Sequence, residues 1–195
     1  MTKAEKTRQL IIEQAAPIFN TKGIAATAMS DIMEATGLAK GSLYVHFQNK
    51  EELSEAVVAY NLEKLSSKVM AVVNRADSAH DKLLAYMEIL SHPLTPPVKG
   101  GCPMINFGAE ADDNFPAIRR KVNKSLDTAQ QMIVDIIEYG IARKEFKASW
   151  NAPEFATKMF AMIEGGIILC RAAGSNNKMK IINQILKKEI EEQLR

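Results

Sequence analysis

Residues 29–53, MSDIMEATGLAKGSLYVHFQNKEEL, contain the pattern from which we predict the fold of this chain. Apolar residues recur at helical spacing on both sides of Gly37, and a glycine between two periodic runs predicts a turn. The segment after that glycine contains several polar and basic side chains, namely Lys40, Ser42, Tyr44, His46 and Lys50. We therefore expect a short helix over about residues 29–36, the turn TGLAKG, and a second short helix over about residues 42–47.

The rest of the chain is predicted to be helical as well. Apolar residues keep a helical spacing nearly everywhere, and no segment shows the sustained β-branched alternation of strands. A first helix ends near Gly23, and a long helix begins after Asn49, a predicted N-cap. Further helices are predicted over about residues 78–91, 104–111, 115–144, 153–173 and 178–194. We predict an all-α fold, with a three-helix head over residues 1–48 and a larger helical body over residues 49–195.

Composition excludes several classes of protein. The 195 residues are 47% hydrophobic and 25% charged, which is typical of a soluble globular chain. No apolar run approaches the roughly 20 residues of a membrane-spanning helix, so we expect a cytoplasmic protein with no membrane partner. Two cysteines are too few and too far apart for a disulfide framework or a zinc site, and we predict neither metal nor cofactor. The net charge of +2 means that any basic patch for nucleic acid must be local.

Two short helices joined by a tight, glycine-containing turn are typical of a helix-turn-helix, whose second helix enters the major groove of DNA. The N-terminal end of that helix faces bases and phosphates, and no acidic residue lies within residues 35–49. The predicted contact residues are Lys40, Gly41, Ser42, Tyr44, His46 and Lys50. The alternative is that this segment only supplies core side chains, and we keep that interpretation for Leu43 and Phe47.

Residues 23–53 resemble the DNA-binding head of the TetR family of one-component repressors. The resemblance rests on GIAATAMSDI, residues 23–32, and on TGLAKGSLYVHFQNKEEL, residues 36–53. It implies that the matching positions contact DNA, mostly its phosphates, and that the partner is a double-stranded DNA operator. Those positions are Thr27, Lys40, Gly41, Ser42, Tyr44, His46 and Lys50.

Three positions depart from the family pattern. Ala28 and Ala39 stand where a hydroxyl residue usually precedes each short helix, so both helices lack that side-chain cap. A missing cap typically costs about 1 kcal/mol of helix stability, and we expect packing within the head to compensate. Val45 stands where the family often has a second tyrosine, so one phosphate contact that the resemblance implies is in doubt.

The resemblance also implies a body that dimerises and holds a small-molecule inducer. The last two predicted helices are the candidate partner surface, because residues 153–173 are apolar on more than one face. Gly165 and Gly166 would let another backbone approach closely. We predict a homodimer through these two helices in a four-helix interface, and the alternative is intramolecular packing. A dimer would also place two heads on symmetric half-sites, which one short helix needs for specificity.

A candidate inducer-sensing site lies in KGGCPMINFGAEADDNFPAIRRKV, residues 99–122. Pro103 suits the first position of a helix, which places Cys102 at the N-cap, where the helix dipole and the nearby Lys99 favour a thiolate. The segment resembles the GC-hydrophobic-hydrophobic-N element of TetR-like proteins related to the repressor of N-ethylmaleimide reductase, in which the cysteine senses electrophiles. The alternative is a buried, inert cysteine. The candidate ligand or redox residues are Cys102, Met104, Phe107 and Glu164, the last a carboxylate inside an apolar helix.

An enzyme is the other class of function that we considered. The chain has no P-loop, HExxH, dinucleotide fingerprint or nucleophile elbow, and a hydrolase built on Cys102 would need a histidine such as His92. We therefore predict a DNA-binding transcriptional regulator without enzymatic activity, a repressor released from its operator by a small-molecule or electrophile inducer. A regulator with a reversible, non-covalent ligand and no redox role is the alternative within this class.

Overall fold

The computed structural model describes residues 1–195, with the exception of the side chain of Asp112. Along the described chain there are nine α-helices and no β-strand, so the predicted all-α fold is confirmed. The helices are α1 (Lys3–Lys22), α2 (Met29–Thr36), α3 (Lys40–His46), α4 (Lys50–Val73), α5 (Ala79–Leu90), α6 (Pro103–Asn114), α7 (Pro116–Ala142), α8 (Ala152–Ala173) and α9 (Asn177–Glu192). A single antiparallel bridge joins Phe146 to Leu194 and ties the end of the described chain to the α7–α8 loop.

The chain forms two compact units. The first comprises residues 1–65 and 98–123, and the second comprises residues 66–97 and 124–195. The first unit therefore contains the predicted head together with α6, which sequence analysis assigned to the body. The predicted boundary between head and body, after residue 48, stays a prediction.

Local sequence signals set the helix ends of the first unit. Thr2 and Glu5 form a capping box, so α1 begins at Lys3. Gly37 ends α2 with φ +68°, a left-handed conformation that glycine adopts at low cost. The predicted N-cap of α4 is confirmed, because the Asn49 side chain accepts a hydrogen bond from the Glu52 N–H over 2.8 Å.

The two short helices do lack side-chain caps, as the alanines before them predicted. Asp31 compensates at α2 by accepting a hydrogen bond from the Ala28 N–H over 2.9 Å and by pairing with Lys22 at 2.8 Å. Packing compensates as well, since the apolar side chains facing inward are at most 1% exposed, namely Ile32, Leu43 and Phe47. The head is therefore held by its core and by one acidic residue rather than by two hydroxyl caps.

In the second unit, α8 and α9 pack closely against each other. A Cβ added to Gly166 would lie 2.7 Å from the Ile182 Cδ1, so this glycine permits the close approach of α9. Trp150 makes edge-on ring contacts with Phe146 and Phe155, both at 4.8 Å between centroids. Across the described residues, no helix has both the length and the hydropathy that crossing a bilayer requires.

Candidate DNA interface and ligand site

The second helix of the helix-turn-helix, α3, has one buried and one exposed side. Leu43 and Phe47 are each 1% exposed, so the prediction that both belong to the core is confirmed. Val45 is two residues from each of them, which at about 3.6 residues per turn places it on the opposite side of the helix. Its side chain is 81% exposed, and the adjacent Tyr44 is 41% exposed. An apolar valine therefore occupies the centre of the face that α3 presents to solvent.

Polar and basic residues surround this valine. Lys40 and Gly41 are exposed, whereas Ser42 and His46 are half-buried. The Lys40 Nζ lies 6.0 Å from the centroid of the Tyr44 ring, and the first turn of α3 contains no acidic residue. A Cβ added to Gly41 would meet no atom within 4 Å, so the backbone of this turn is open to close approach. Uncompensated positive charge beside an accessible backbone suits a phosphate-bearing partner.

The other two predicted DNA contacts flank the turn between α1 and α2. Lys50, at the start of α4, donates from Nζ to the Ala25 carbonyl over 3.0 Å. An ammonium group has three donors, so a phosphate contact remains compatible with this bond. Thr27 is 1% exposed, and its hydroxyl donates to the Gly23 carbonyl over 2.6 Å. In this conformation Thr27 closes the turn rather than presenting its side chain to a partner, and its DNA contact stays a prediction.

Cys102 lies at the N-cap of α6, with Pro103 at the start of the helix, as the sequence predicted. The cysteine is only 5% exposed, and its neighbours Met104 and Phe107 are 7% and 0% exposed. A reagent would therefore reach the sulfur only after this part of the chain opens locally. The sensing role of these three residues stays a prediction, since all of them lie in the core of the first unit.

Two asparagines explain the conformation of the segment before Cys102. Asn20, which is 2% exposed, donates from Nδ2 to the carbonyls of Lys99 and Gly101 over 2.9 and 3.1 Å. The Asn106 Nδ2 lies 2.9 Å from the Asn20 carbonyl and 3.1 Å from that of Gly100. Gly100 has φ +102°, and a Cβ there would lie 2.7 Å from the Asn20 carbonyl oxygen. This glycine is therefore required by the close contact between α1 and the start of α6.

A further side chain of α6 reaches the turn after α1. The Glu110 carboxylate accepts hydrogen bonds from the N–H groups of Ile24 and Ala25 over 2.6 and 2.5 Å. Because both donors are backbone amides, the contact fixes the path of the chain between α1 and α2.

An open cleft of about 840 Å³ lies in the second unit, lined by the end of α4, the start of α5 and the middle of α7. Its apolar lining includes Met70, Met132 and Tyr139, and its charged lining includes Lys82, Asp127 and Asp135. None of the predicted sensing residues lines it. Glu164 lies in α8 of the same unit and is 4% exposed, so its ligand role stays a prediction.

The last two helices leave a set of large apolar side chains in contact with solvent. These are Ile168, Leu169, Ile181 and Ile185, which are 50%, 54%, 52% and 50% exposed. A Cβ added to Gly165, in α8, would meet no atom within 4 Å, whereas Gly166 packs against α9 within the same chain. Gly165 therefore lies on the solvent-exposed side of α8, and Gly166 lies on the side that packs against α9.

Comparison with known families agrees with this geometry. Residues 11–57 match the bacterial regulatory proteins of the tetR family, and residues 79–186, more than half of the chain, match the tetracyclin repressor-like C-terminal domain. The chain belongs to the TetR family of transcriptional regulators. It is a DNA-binding transcriptional regulator whose head and body both match family members.

Solved structures of other regulators resemble this chain over 94% to 100% of its residues. A TetR regulator from Chloroflexus aurantiacus is 34% identical, with a TM-score of 0.94 over 100% of this chain and 99% of that chain. A TetR-family regulator from Cytophaga hutchinsonii is also 34% identical, with a TM-score of 0.91 over 100% and 98%. The reduced form of E. coli NemR is 17% identical, with a TM-score of 0.82 over 94% and 97%. The last likeness concerns the fold alone, and the branch that residues 101–106 resemble stays a prediction.

The comparisons bear on the enzyme alternative. The matched families and solved structures are those of transcriptional regulators. The Nδ1 of His92, the histidine that a Cys102 hydrolase would need, lies 4.0 Å from the Glu88 carboxylate.

Three residues that shape the DNA-binding face or the adjacent α1–α6 contact were not predicted from the sequence. Val45 was noted only as a departure from the family pattern, although its spacing from Leu43 and Phe47 already indicated an outward position. Asn20 could have been suspected as a polar residue directly after the buried Phe19. Glu110 carries no signal of its role in the sequence, because its partners are backbone amides about 85 residues earlier.

Proposed function

We propose that this regulator binds a double-stranded DNA operator as a homodimer and releases it when a small molecule binds the body. The observation that carries the proposal is the exposed face of α3, where basic and hydrogen-bonding residues surround an outward-facing valine. A face of this kind suits the major groove, because phosphates flank the groove and base edges form its floor.

At the groove, the residues of the α3 face and Lys50 at the start of α4 have different roles. Lys40 and Lys50 supply charge to phosphates, and the exposed backbone at Gly41 allows close approach. Val45 has no hydrogen-bonding group, and the apolar group that the major groove offers is the C5 methyl of thymine. We therefore assign Val45 to contact with a thymine methyl, which would contribute sequence specificity rather than general affinity.

The dimer proposal rests on the apolar face formed by Ile168, Leu169, Ile181 and Ile185. Such residues exposed together on two neighbouring helices are typical of an interface between subunits. A second copy presenting the same face would bury it about a two-fold axis and give a four-helix interface.

The inducer proposal favours the open cleft of the second unit. Its methionines and Tyr139 offer an adaptable apolar wall, and its two aspartates and Lys82 offer polar anchors, so an amphipathic small molecule fits its chemistry. Such a ligand would act by stabilising a conformation in which the two recognition helices no longer match successive major grooves. A covalent route through Cys102, with Met104 and Phe107 displaced from their packing, is the second candidate and is supported by the N-cap position of the cysteine.

The operator proposal is tested by selecting binding sites for the wild-type protein from a randomised duplex pool. We expect an inverted repeat, and replacement of its thymines one at a time by deoxyuridine should weaken binding at one symmetric position in each half-site. The Val45→Ala variant should lose sensitivity to that replacement, whereas Leu10→Ala, at another exposed apolar residue, should keep it. Equal sensitivity in Val45→Ala and wild type would remove Val45 from base contact.

The dimer proposal is tested by sedimentation of Ile185→Glu and Ile168→Glu. Both side chains are half exposed, so the variants should fold, sediment as monomers and bind the operator much more weakly than wild type. Leu10→Glu changes an apolar side chain of similar exposure, 43%, on α1 rather than on α8 or α9 and should remain dimeric. Stable dimers of both α8–α9 variants would place the interface elsewhere.

The cleft proposal is tested by filling the cleft. Compounds that release the operator are first identified with the wild-type protein, and their effect is then measured on Met132→Trp. The variant should bind the operator normally and no longer respond. An unchanged response would exclude the cleft as the inducer site.

A further inference from the structure

Glu110, in α6, contacts the turn between α1 and α2 and has no part in the proposed DNA-binding face. Its two carboxylate oxygens accept from two consecutive backbone amides, those of Ile24 at 2.6 Å and Ala25 at 2.5 Å. Hydrogen bonds to an ionised carboxylate are stronger than those between neutral groups. A single side chain of α6 therefore fixes two successive peptides of the turn between α1 and α2.

The same turn is bound from the other side by a predicted DNA-contacting residue. Lys50 donates from Nζ to the Ala25 carbonyl over 3.0 Å, so Ala25 is held by Glu110 through its N–H and by Lys50 through its C=O. Gly23 makes room for this arrangement, because its φ is +88° and a Cβ there would lie 2.9 Å from the Glu110 Oε2. The Lys50 ammonium is thus bonded to the peptide that directly follows the two peptides that Glu110 orients.

A second side chain of α6 extends this contact. Asn106 lies four residues before Glu110, on the same face of the helix, and its Nδ2 is 2.9 Å from the Asn20 carbonyl at the end of α1. One face of α6 therefore supplies a donor to the last turn of α1 and an acceptor to the turn that follows. Both contacts lie inside the first compact unit, which also contains α2, α3 and the start of α4.

We propose that Glu110 is a positioning residue for DNA binding, one that acts on phosphate through Ala25 and Lys50 rather than by touching DNA. The proposal rests on the proposed function. With the carboxylate in place, the Ala25 carbonyl accepts from the Lys50 ammonium over 3.0 Å and fixes its position. Without the carboxylate, the turn relaxes and the ammonium loses its fixed position, although the lysine itself is still present.

A double-mutant cycle on operator affinity tests this dependence. Glu110→Ala should weaken binding to the selected operator about tenfold in the wild-type background, as expected for loss of a charge-assisted contact. In the Lys50→Ala background the same substitution should weaken binding less than about twofold, because the group that it positions is already absent. Glu110→Ala should also lower the steepness of the salt dependence towards that of Lys50→Ala.

Two further variants and the measurement of amide exchange distinguish a local effect at the α1–α2 turn from general destabilisation. Glu110→Gln keeps one acceptor oxygen and should fall between wild type and Glu110→Ala, and it replaces the alanine variant if that protein does not fold. Glu138→Ala removes an exposed carboxylate from α7 and should leave affinity unchanged. Amide exchange of Ile24 and Ala25 should accelerate in both Glu110 variants while the amides of α4 stay protected.

The outcomes separate this inference from the proposed function. An equal loss of affinity from Glu110→Ala with and without Lys50 would show a general structural role and overturn the inference, as would no loss at all. Both results leave wild-type binding to the operator intact. A wild-type protein that selects no DNA would instead contradict the proposed function, and the inference with it.

Discussion

The exposed face of α3 and the segment of residues 100–110 both carry short, recognisable motifs, but the two regions use their residues in opposite ways. On α3 the motif residues project outward, with Val45 81% exposed and Gly41 in open space. In residues 100–110 they turn inward, with Cys102 5% exposed and Gly100 pressed against the Asn20 carbonyl. A sequence motif therefore indicates a binding function most directly where its side chains make no contacts within the protein. Where its side chains make several such contacts, the motif indicates a role in the fold.

Replacing a glycine by alanine should destabilise the protein strongly in residues 100–110 and hardly at all on α3. Gly100→Ala forces a side chain into a backbone with φ +102° and against the Asn20 carbonyl at 2.7 Å. We expect a loss of about 2–4 kcal/mol in the free energy of unfolding, measured by urea denaturation. Gly41→Ala is the matched control, since its Cβ meets nothing, and it should be neutral or stabilising by up to about 1 kcal/mol. Similar losses in both variants would remove the distinction between the two regions.

The next effect concerns the asparagines that hold residues 99–101. Asn106→Ala removes the donor to the Asn20 and Gly100 carbonyls, and we expect it to lower the free energy of unfolding by about 1–3 kcal/mol. Asn114→Ala, at the exposed end of the same helix, should change stability little. Equal stability of Asn106→Ala and wild type in urea would mean that this contact is not a main support of α6.

Labelling of the cysteines with maleimide tests whether Cys102 senses electrophiles or only packs in the core. Because Cys102 is 5% exposed and Cys170 is fully buried, both thiols should react with maleimide at least about 100-fold more slowly in the native protein than in urea. Adducts are mapped by mass spectrometry, and operator affinity is measured for wild type and Cys102→Ser. Fast labelling of Cys102, with operator release that Cys102→Ser abolishes, would instead establish the covalent route.

The smallest expected effect is the pH dependence contributed by Asp31. Its hydrogen-bonded ion pair with Lys22, and then the Ala28 N–H, hold the pKa of this carboxyl below its ordinary value of about 3.9. A lowered folded-state pKa stabilises the fold above the unfolded-state pKa, and this stabilisation is lost as the pH falls through the folded value. Between pH 5 and pH 2, roughly, the Tm of Asp31→Asn should therefore fall less steeply than that of wild type. If the Tm of both proteins fell equally with pH, the ionised Asp31 carboxylate would contribute nothing to stability.

Much of the fold followed from the sequence, because helical periodicity and turn glycines are local signals. The N-cap roles of Asn49 and Cys102 and the buried positions of Leu43 and Phe47 were predicted for this reason. The contacts of Glu110 and Asn106 were not predictable, because they join α6 to backbone groups of residues 20–25 that carry no side-chain signal. The burial of Thr27 was missed for a related reason, since its hydroxyl is satisfied by the Gly23 carbonyl rather than left for a partner.

The salt dependence of operator affinity shows whether the exposed face of α3 is the DNA-binding surface. Lys40 and Lys50 in two heads give about four phosphate contacts, so the logarithm of the binding constant should fall with the logarithm of salt concentration with a slope of about −4 or steeper. Lys40→Ala should reduce the magnitude of that slope by about two, one for each head, and weaken specific and non-specific binding alike. Arg75→Ala, which removes an exposed cation outside the first unit, should leave the slope unchanged. A slope that is the same for wild type and Lys40→Ala would mean that the exposed face of α3 does not bind the DNA phosphates.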